Sequence, residues 1–97
     1  MDLLNQFKEY LFSQSNKASK LTVKNYLSDI RHFISWFEIT YNESFSPIKV
    51  SSKALQAYKD SSLQSLSPSS MERHLSSLRK FFTFIKFEGA ILNSPFD

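Results

Sequence analysis

Two runs of cations carry whatever chemistry this sequence has. Lys20, Lys24 and Arg31 fall in the first, where Asp29 is the single acid between Lys17 and Arg31. Arg73, Arg79 and Lys80 fall in the second, and no Asp or Glu interrupts the chain from Arg73 to Lys86. Small polar groups interleave with them: Thr22, Asn25 and Ser28 in one run, Ser69, Ser70 and Ser77 in the other. Lys and Arg neutralise phosphates and release counterions, while hydroxyls and amides add short bonds to phosphate oxygens. These twelve residues therefore read as contacts for a polyanion, double-stranded DNA in the first instance. Arg73 is the best candidate for a base edge, because a guanidinium bonds guanine in a bidentate way. It fits a phosphate equally well, and Arg79, nearer the core edge, fits a structural ion pair equally well. The competing interpretation of both runs is a pair of solvated helix faces.

Other chemistries lack their parts. There is no Cys, which excludes disulfides and thiolate metal sites and fits a reducing cytoplasm. His32 and His74 stand apart as polar-face residues, so neither a metal nor another cofactor is expected. Tyr26 reads as a core residue with its hydroxyl at the rim; no arginine pair lies near it in sequence to make it a nucleophile.

The elements that position the cations are helices. Ser67 to Gly89 carries full punctuation: Ser67 as N-cap, Pro68 in the first turn and Gly89 as the closing residue. Met71, Leu75, Leu78, Phe82 and Ile85 form its apolar stripe, with Ser69, Arg73, Ser77 and Lys80 opposite. A second long helix runs from Ser19 to about Tyr41, capped by Ser19 or Thr22. Val23, Tyr26, Leu27, Ile30, Phe33, Ile34, Phe37 and Tyr41 make its stripe, and Lys24, Ser28, His32 and Ser35 project opposite. Leu3 to Ser13 reads as a first helix on Leu3, Leu4, Phe7 and Leu11, with the polar run from Gln14 to Asn16 ending it. Pro47 bars regular helix from the 42–50 connection. Ser51 or Ser52 caps a short helix that buries Ala54, Leu55 and Tyr58, and Leu63 and Leu66 tuck inward after it. Trp36 and Ile39 on the second helix, and Phe84 and Phe87 on the fourth, lie off these stripes. They are either covered by the first helix or the C-terminal segment, or they meet a partner, since large apolar patches mark interfaces.

Composition agrees with one folded helical domain over residues 1–97. Hydrophobic residues are 41% of the chain, and ten are Phe, which argues against disorder. One Gly and three Pro are too few for a sheet with many hairpins. No apolar run approaches the ~20 residues that span a bilayer, and the acidic, amphipathic start is unlike a secretory signal, so a cytoplasmic protein without membrane contact is expected. The formal net charge of +3 suits a polyanionic partner.

Two stretches resemble one family. Ser19-x-x-Thr22-x-x-x-Tyr26-x-x-Asp29-Ile30-x-x-Phe33-x-x-x-Phe37 is similar to the second helix of the N-terminal, core-binding domain of tyrosine recombinases and phage integrases. Ser67-x-x-Ser70-Met71-x-Arg73-x-Leu75-Ser76-Ser77-Leu78-Arg79-x-Phe81-Phe82 resembles its fourth, with Ser70 for the usual Thr and Ser77 for the usual Ala. Gly89 and Asn93-Ser94-Pro95 resemble the Gly and Asn-Pro that lead into the catalytic domain, with one residue extra. The resemblance implies a compact all-α, four-helix orthogonal bundle of SAM-like type. It implies half of a clamp on duplex DNA, with the second and fourth helices at the major groove. It implies as partners a C-terminal catalytic domain of the same chain and other recombinase protomers, with residues 90–97 as an exit strap opening the linker. The family cleaves DNA with a tyrosine, arginines and a His-x-x-Arg motif. Here His32 is followed three residues on by Ser35, and His74 by Ser77, so this chain is expected to bind DNA and not to cut it. A helical protein–protein adaptor is the competing class. The long second helix, with no short helix–turn–recognition helix pair, argues against a helix-turn-helix regulator.

Overall fold

Serine hydroxyls start three of the four helices. In the computed structural model, which describes residues 3–13 and 19–97, the Ser19 hydroxyl accepts the Thr22 N–H, Ser51 accepts that of Ala54 and Ser67 accepts that of Ser70. Each satisfies a backbone donor that the first helical turn leaves free. The helices are α1 (Leu3–Ser13), α2 (Lys20–Tyr41), α3 (Ser52–Ser61) and α4 (Pro68–Phe87), with a 3-10 turn at Pro47–Lys49. The chain forms no strand among the described residues. The polar run from Gln14 to Asn16 and Lys17, expected to end the first helix and open the basic segment, lie outside the described residues.

The helix ends are as specific as the starts. Asn42 closes α2 in the left-handed region at φ 52°, a conformation that Asn tolerates. Gly89 closes α4 at φ 82°. There the Ala90 N–H reaches the Ile85 carbonyl at 3.1 Å and the Gly89 N–H reaches Lys86 at 3.0 Å. This pair of bonds is a Schellman motif, which only a residue free to adopt positive φ forms without strain.

One core holds the helices together. Phe33 of α2 is fully buried, with its ring 4.9 Å from Tyr58 of α3 and 6.5 Å from Phe82 of α4. Phe7 of α1 meets Phe81 at 5.2 Å and Phe84 at 5.5 Å. α4 therefore packs against α1 as well as α2, and its buried arc is wider than the expected stripe. Phe81 and Phe84 are buried while Met71 and Leu75 are half-buried. Phe84, expected off the core, is covered by Phe7 and Tyr10 of the first helix. Trp36 is half-buried, and α3 covers it, with Tyr58 at 5.1 Å. Ile39 and Phe87 stay exposed. Residues 90–97 fold back: Ile91 is buried, Phe96 lies 6.2 Å from Phe82, and Lys86 donates to the Asp97 carboxylate at 3.0 Å.

Candidate nucleic-acid interface

The seam between α2 and α4 is organised by a buried acid. Asp29 lies among the apolar residues of α2 and is only 2% exposed. Its Oδ1 accepts the Arg73 Nη2 at 2.9 Å, and its Oδ2 accepts the Ser77 hydroxyl at 2.7 Å. A buried carboxylate needs this kind of pairing, since desolvating it unpaired costs several kcal/mol. Ser77 is therefore not on the outward face where the sequence put it. It points inward and is spent on Asp29. Ser76, one residue earlier, is exposed instead.

Arg73 straddles the surface. One nitrogen is held by Asp29, yet the side chain is 56% exposed. It stands in a cleft of about 210 Å³ lined by Thr22, Asn25, Tyr26, Asp29, Ser76 and Ser77. Tyr26 and Ser76 also line the neighbouring cleft, of about 360 Å³, with Tyr10, Arg79, Lys80 and Thr83. The two clefts thus form one groove along α4, bordered by Arg73, Ser76, Lys80 and Thr83 at spacings of three and four. That spacing is one helix stripe of about 15 Å, at 1.5 Å per residue. Arg79 lies over the Phe96 ring at 5.0 Å and, among the described residues, pairs with no acid.

Lys20, Lys24 and Arg31 occupy the other flank of α2. With Lys8, Phe12, Val23 and Leu27 they line a cleft of about 440 Å³ between α1 and α2. The two cation runs therefore sit on opposite flanks of α2 and do not share one groove. Ser28 lies on the exposed crest of that helix. Ser69 and Ser70 sit in the first turn of α4, clustered on the Ser67 cap at 3.4 and 3.1 Å.

Beside this seam two histidines meet, ring to ring at 5.3 Å; His32 is exposed, as expected of a polar-face residue. His32 Nδ1 is 2.6 Å from the Tyr58 hydroxyl. Burial, helped by the negative charge of Asp29, pushes the Tyr58 phenol well above the ordinary tyrosine range, so the phenol stays protonated. His74, expected on the polar face, is buried. Its Nε2 lies 3.4 Å from Arg73 Nη2. The same Nε2 lies 3.7 Å from Asp29 Oδ1, and Nδ1 is buried without a partner among the described residues. Burial holds His74 below the usual 6.5; Asp29 opposes the shift, and Arg73 and His32 reinforce it. The unfolded chain then binds more protons than the folded one just below pH 6.5, so stability falls on acidification through that region. The thermal midpoint should drop as pH is lowered from about 7 to about 5, and His74→Leu should flatten that dependence. A midpoint that rises on acidification would contradict this account.

The phage integrase N-terminal SAM-like domain family matches residues 4–89. The chain belongs to that family. It is a core-binding domain of the tyrosine recombinase and integrase group. The TnP I resolvase of Bacillus thuringiensis is 32% identical over 90 residues, which cover 93% of this chain and 31% of that protein. The tyrosine recombinase XerD of Lacticaseibacillus casei is 31% identical over 96% of this chain and 30% of its own length. A tyrosine recombinase of Agathobacter rectalis is 27% identical over 97% of this chain and 29% of its own. The chain thus spans about a third of the length of these relatives. No solved structure gives a significant match. Among the described residues no helix is long and apolar enough to cross a membrane.

Four residues of this core-binding domain escaped the sequence reading. Ser76 was hidden by the choice between two adjacent serines, and Thr83 stands between Phe82 and Phe84, past the end of the expected polar row at Lys80. Lys8 lies on the first helix, outside both cation runs in sequence, although it lines the cleft of the first run. Asp29 did leave a signal: it is an acid one residue from Ile30, on the core side of an apolar stripe, where a carboxylate needs a cation from another element.

Proposed function

We propose that this chain binds duplex DNA as the N-terminal clamp domain of a tyrosine recombinase, in the cytoplasm, and leaves strand cleavage to a catalytic domain. The observation that carries this is the groove along α4. Its border offers Arg73, Ser76, Lys80 and Thr83 in line, and its floor offers the Tyr10 and Tyr26 side chains. Cations and hydroxyls along 15 Å of one helix suit the backbone and base edges of a duplex, and a helix of this kind fits a major groove about 12 Å wide. Lys20, Lys24 and Arg31 on the far flank of α2, with Ser28 between, supply a second row. The relatives are a resolvase and recombinases by name. Ile39 and Phe87, both exposed, are the proposed contacts for the catalytic domain or a second protomer, with residues 90–97 as the start of the linker. Trp36 and Phe84 drop out of that role because the core covers them.

Fluorescence anisotropy with a labelled duplex tests the proposal. Saturable binding at low salt is expected, and its absence there overturns the reading. Incubation with a nicked suicide duplex should give no covalent adduct, since neither histidine begins a His-x-x-Arg motif. A Tyr26-linked product would refute that part.

A further inference from the structure

Asp29 puts a negative charge directly beneath the surface proposed to meet a polyanion. A buried ion pair is weak evidence for a stabilising role, because well-packed apolar residues often replace one at little or no loss. Its geometry has a more specific consequence. The carboxylate is fixed from both sides, by Arg73 on Oδ1 and by Ser77 on Oδ2, and it ties α2 to α4. It therefore holds one edge of the Arg73 guanidinium still while the rest of that side chain stands in the cleft beside Asn25 and Ser76. An arginine so held has its charge compensated locally and its remaining donors pre-oriented.

We propose that Asp29 is a positioning residue that makes Arg73 a reader of base edges and not a phosphate clamp. The inference rests on the DNA-binding reading above and assigns Arg73 a task within it. A compensated cation releases few counterions, so Arg73 contributes little to the salt dependence of binding. A fixed planar fork does discriminate, because bidentate contact with guanine requires one orientation. Ser77 serves the same end by holding the second carboxylate oxygen.

The test uses the 97-residue chain. A randomised duplex pool is enriched on the wild type, and the enriched duplex and a scrambled one are titrated across a range of salt. Arg73→Ala should reduce the affinity ratio between the two duplexes by about tenfold and change the salt slope by much less than the ~0.9 of a phosphate contact. Asp29→Asn releases the Arg73 charge and its orientation together. The scrambled duplex should then bind more tightly, the slope should steepen by up to about 0.9, and the ratio should fall as it does for Arg73→Ala. Ser77→Ala keeps the charge, so the ratio should fall in part with the slope unchanged.

A purely structural role for Asp29 would weaken both duplexes alike and leave the slope alone, which would overturn the proposal. So would an Arg73→Ala slope change near 0.9, or a wild type that enriches no sequence. If circular dichroism shows Asp29→Asn unfolded, Ser77→Ala decides alone, and an unchanged ratio rejects the proposal. A wild type that binds no duplex defeats the DNA-binding reading itself, a result distinct from all of these.

Discussion

Phe33→Ala is expected to cost about 3–5 kcal/mol of folding stability, the range for truncating a fully buried aromatic. Phe33 is the junction of the core. Its ring is within 6.5 Å of the rings of Trp36, Phe37, Phe45, Tyr58 and Phe82. Three elements and the 42–50 connection therefore lose contacts at once. The ring packs edge-on to Tyr58 and Phe82, and aromatic pairs of this geometry add about 0.5–1.5 kcal/mol beyond the area they bury. Small domains have only about 5–15 kcal/mol in total, so the variant should be largely unfolded on mild heating. Phe87→Ala is the control. That ring is 79% exposed, and its loss should change stability by no more than about 0.5 kcal/mol. Urea denaturation followed by circular dichroism measures both. A loss below about 1 kcal/mol for Phe33→Ala would mean that the aromatic junction is not where the core is held.

Local features were legible in the sequence, and cross-helix ones were not, for physical reasons. A cap depends on one side chain and the backbone within three residues of it. Ser67 and Gly89 were readable for that reason, and Ser19 and Ser51 were each narrowed to one of two residues. Burial depends on what lies opposite. Phe84 looked surplus to a single stripe, but α1 brings Phe7 and Tyr10 against it. Ser76 and Ser77 differ by about 100° of helix rotation and by nothing in chemistry. Only Asp29, 48 positions away from Ser77, decides which one turns inward. His74 goes inward for a related reason, since Arg73, Asp29 and His32 gather on its side of α4. Lys8 joined Lys20, Lys24 and Arg31 through the packing of α1 on α2, which no pattern within either helix records.

The largest effect on binding should come from salt. Six cations border the proposed surface without a carboxylate partner among the described residues: Lys8, Lys20, Lys24 and Arg31 on one flank of α2, Arg79 and Lys80 on the other. Arg73 is left out because Asp29 compensates it. Each phosphate neutralised adds about 0.9 to the slope of log affinity against log salt, so six give a slope near −5. Between about 50 and 200 mM salt the affinity for any duplex should then fall roughly a thousandfold. Replacing Lys24, Arg31 and Lys80 together by Ala should flatten the slope by about 2.7 and weaken specific and scrambled duplexes alike. Two of these residues lie on the α1 side of α2 and one on the α4 side, so the full change requires both flanks to touch phosphate. A flattening of only about 0.9 in the triple variant would confine DNA to the α4 groove and leave the α1 cleft outside the interface. Lys53 and Lys59 of α3 supply the counter-test, because α3 lines neither cleft. Their double replacement should leave the slope unchanged. If it flattened the slope as much as the triple variant does, DNA would lie on another side of the domain altogether.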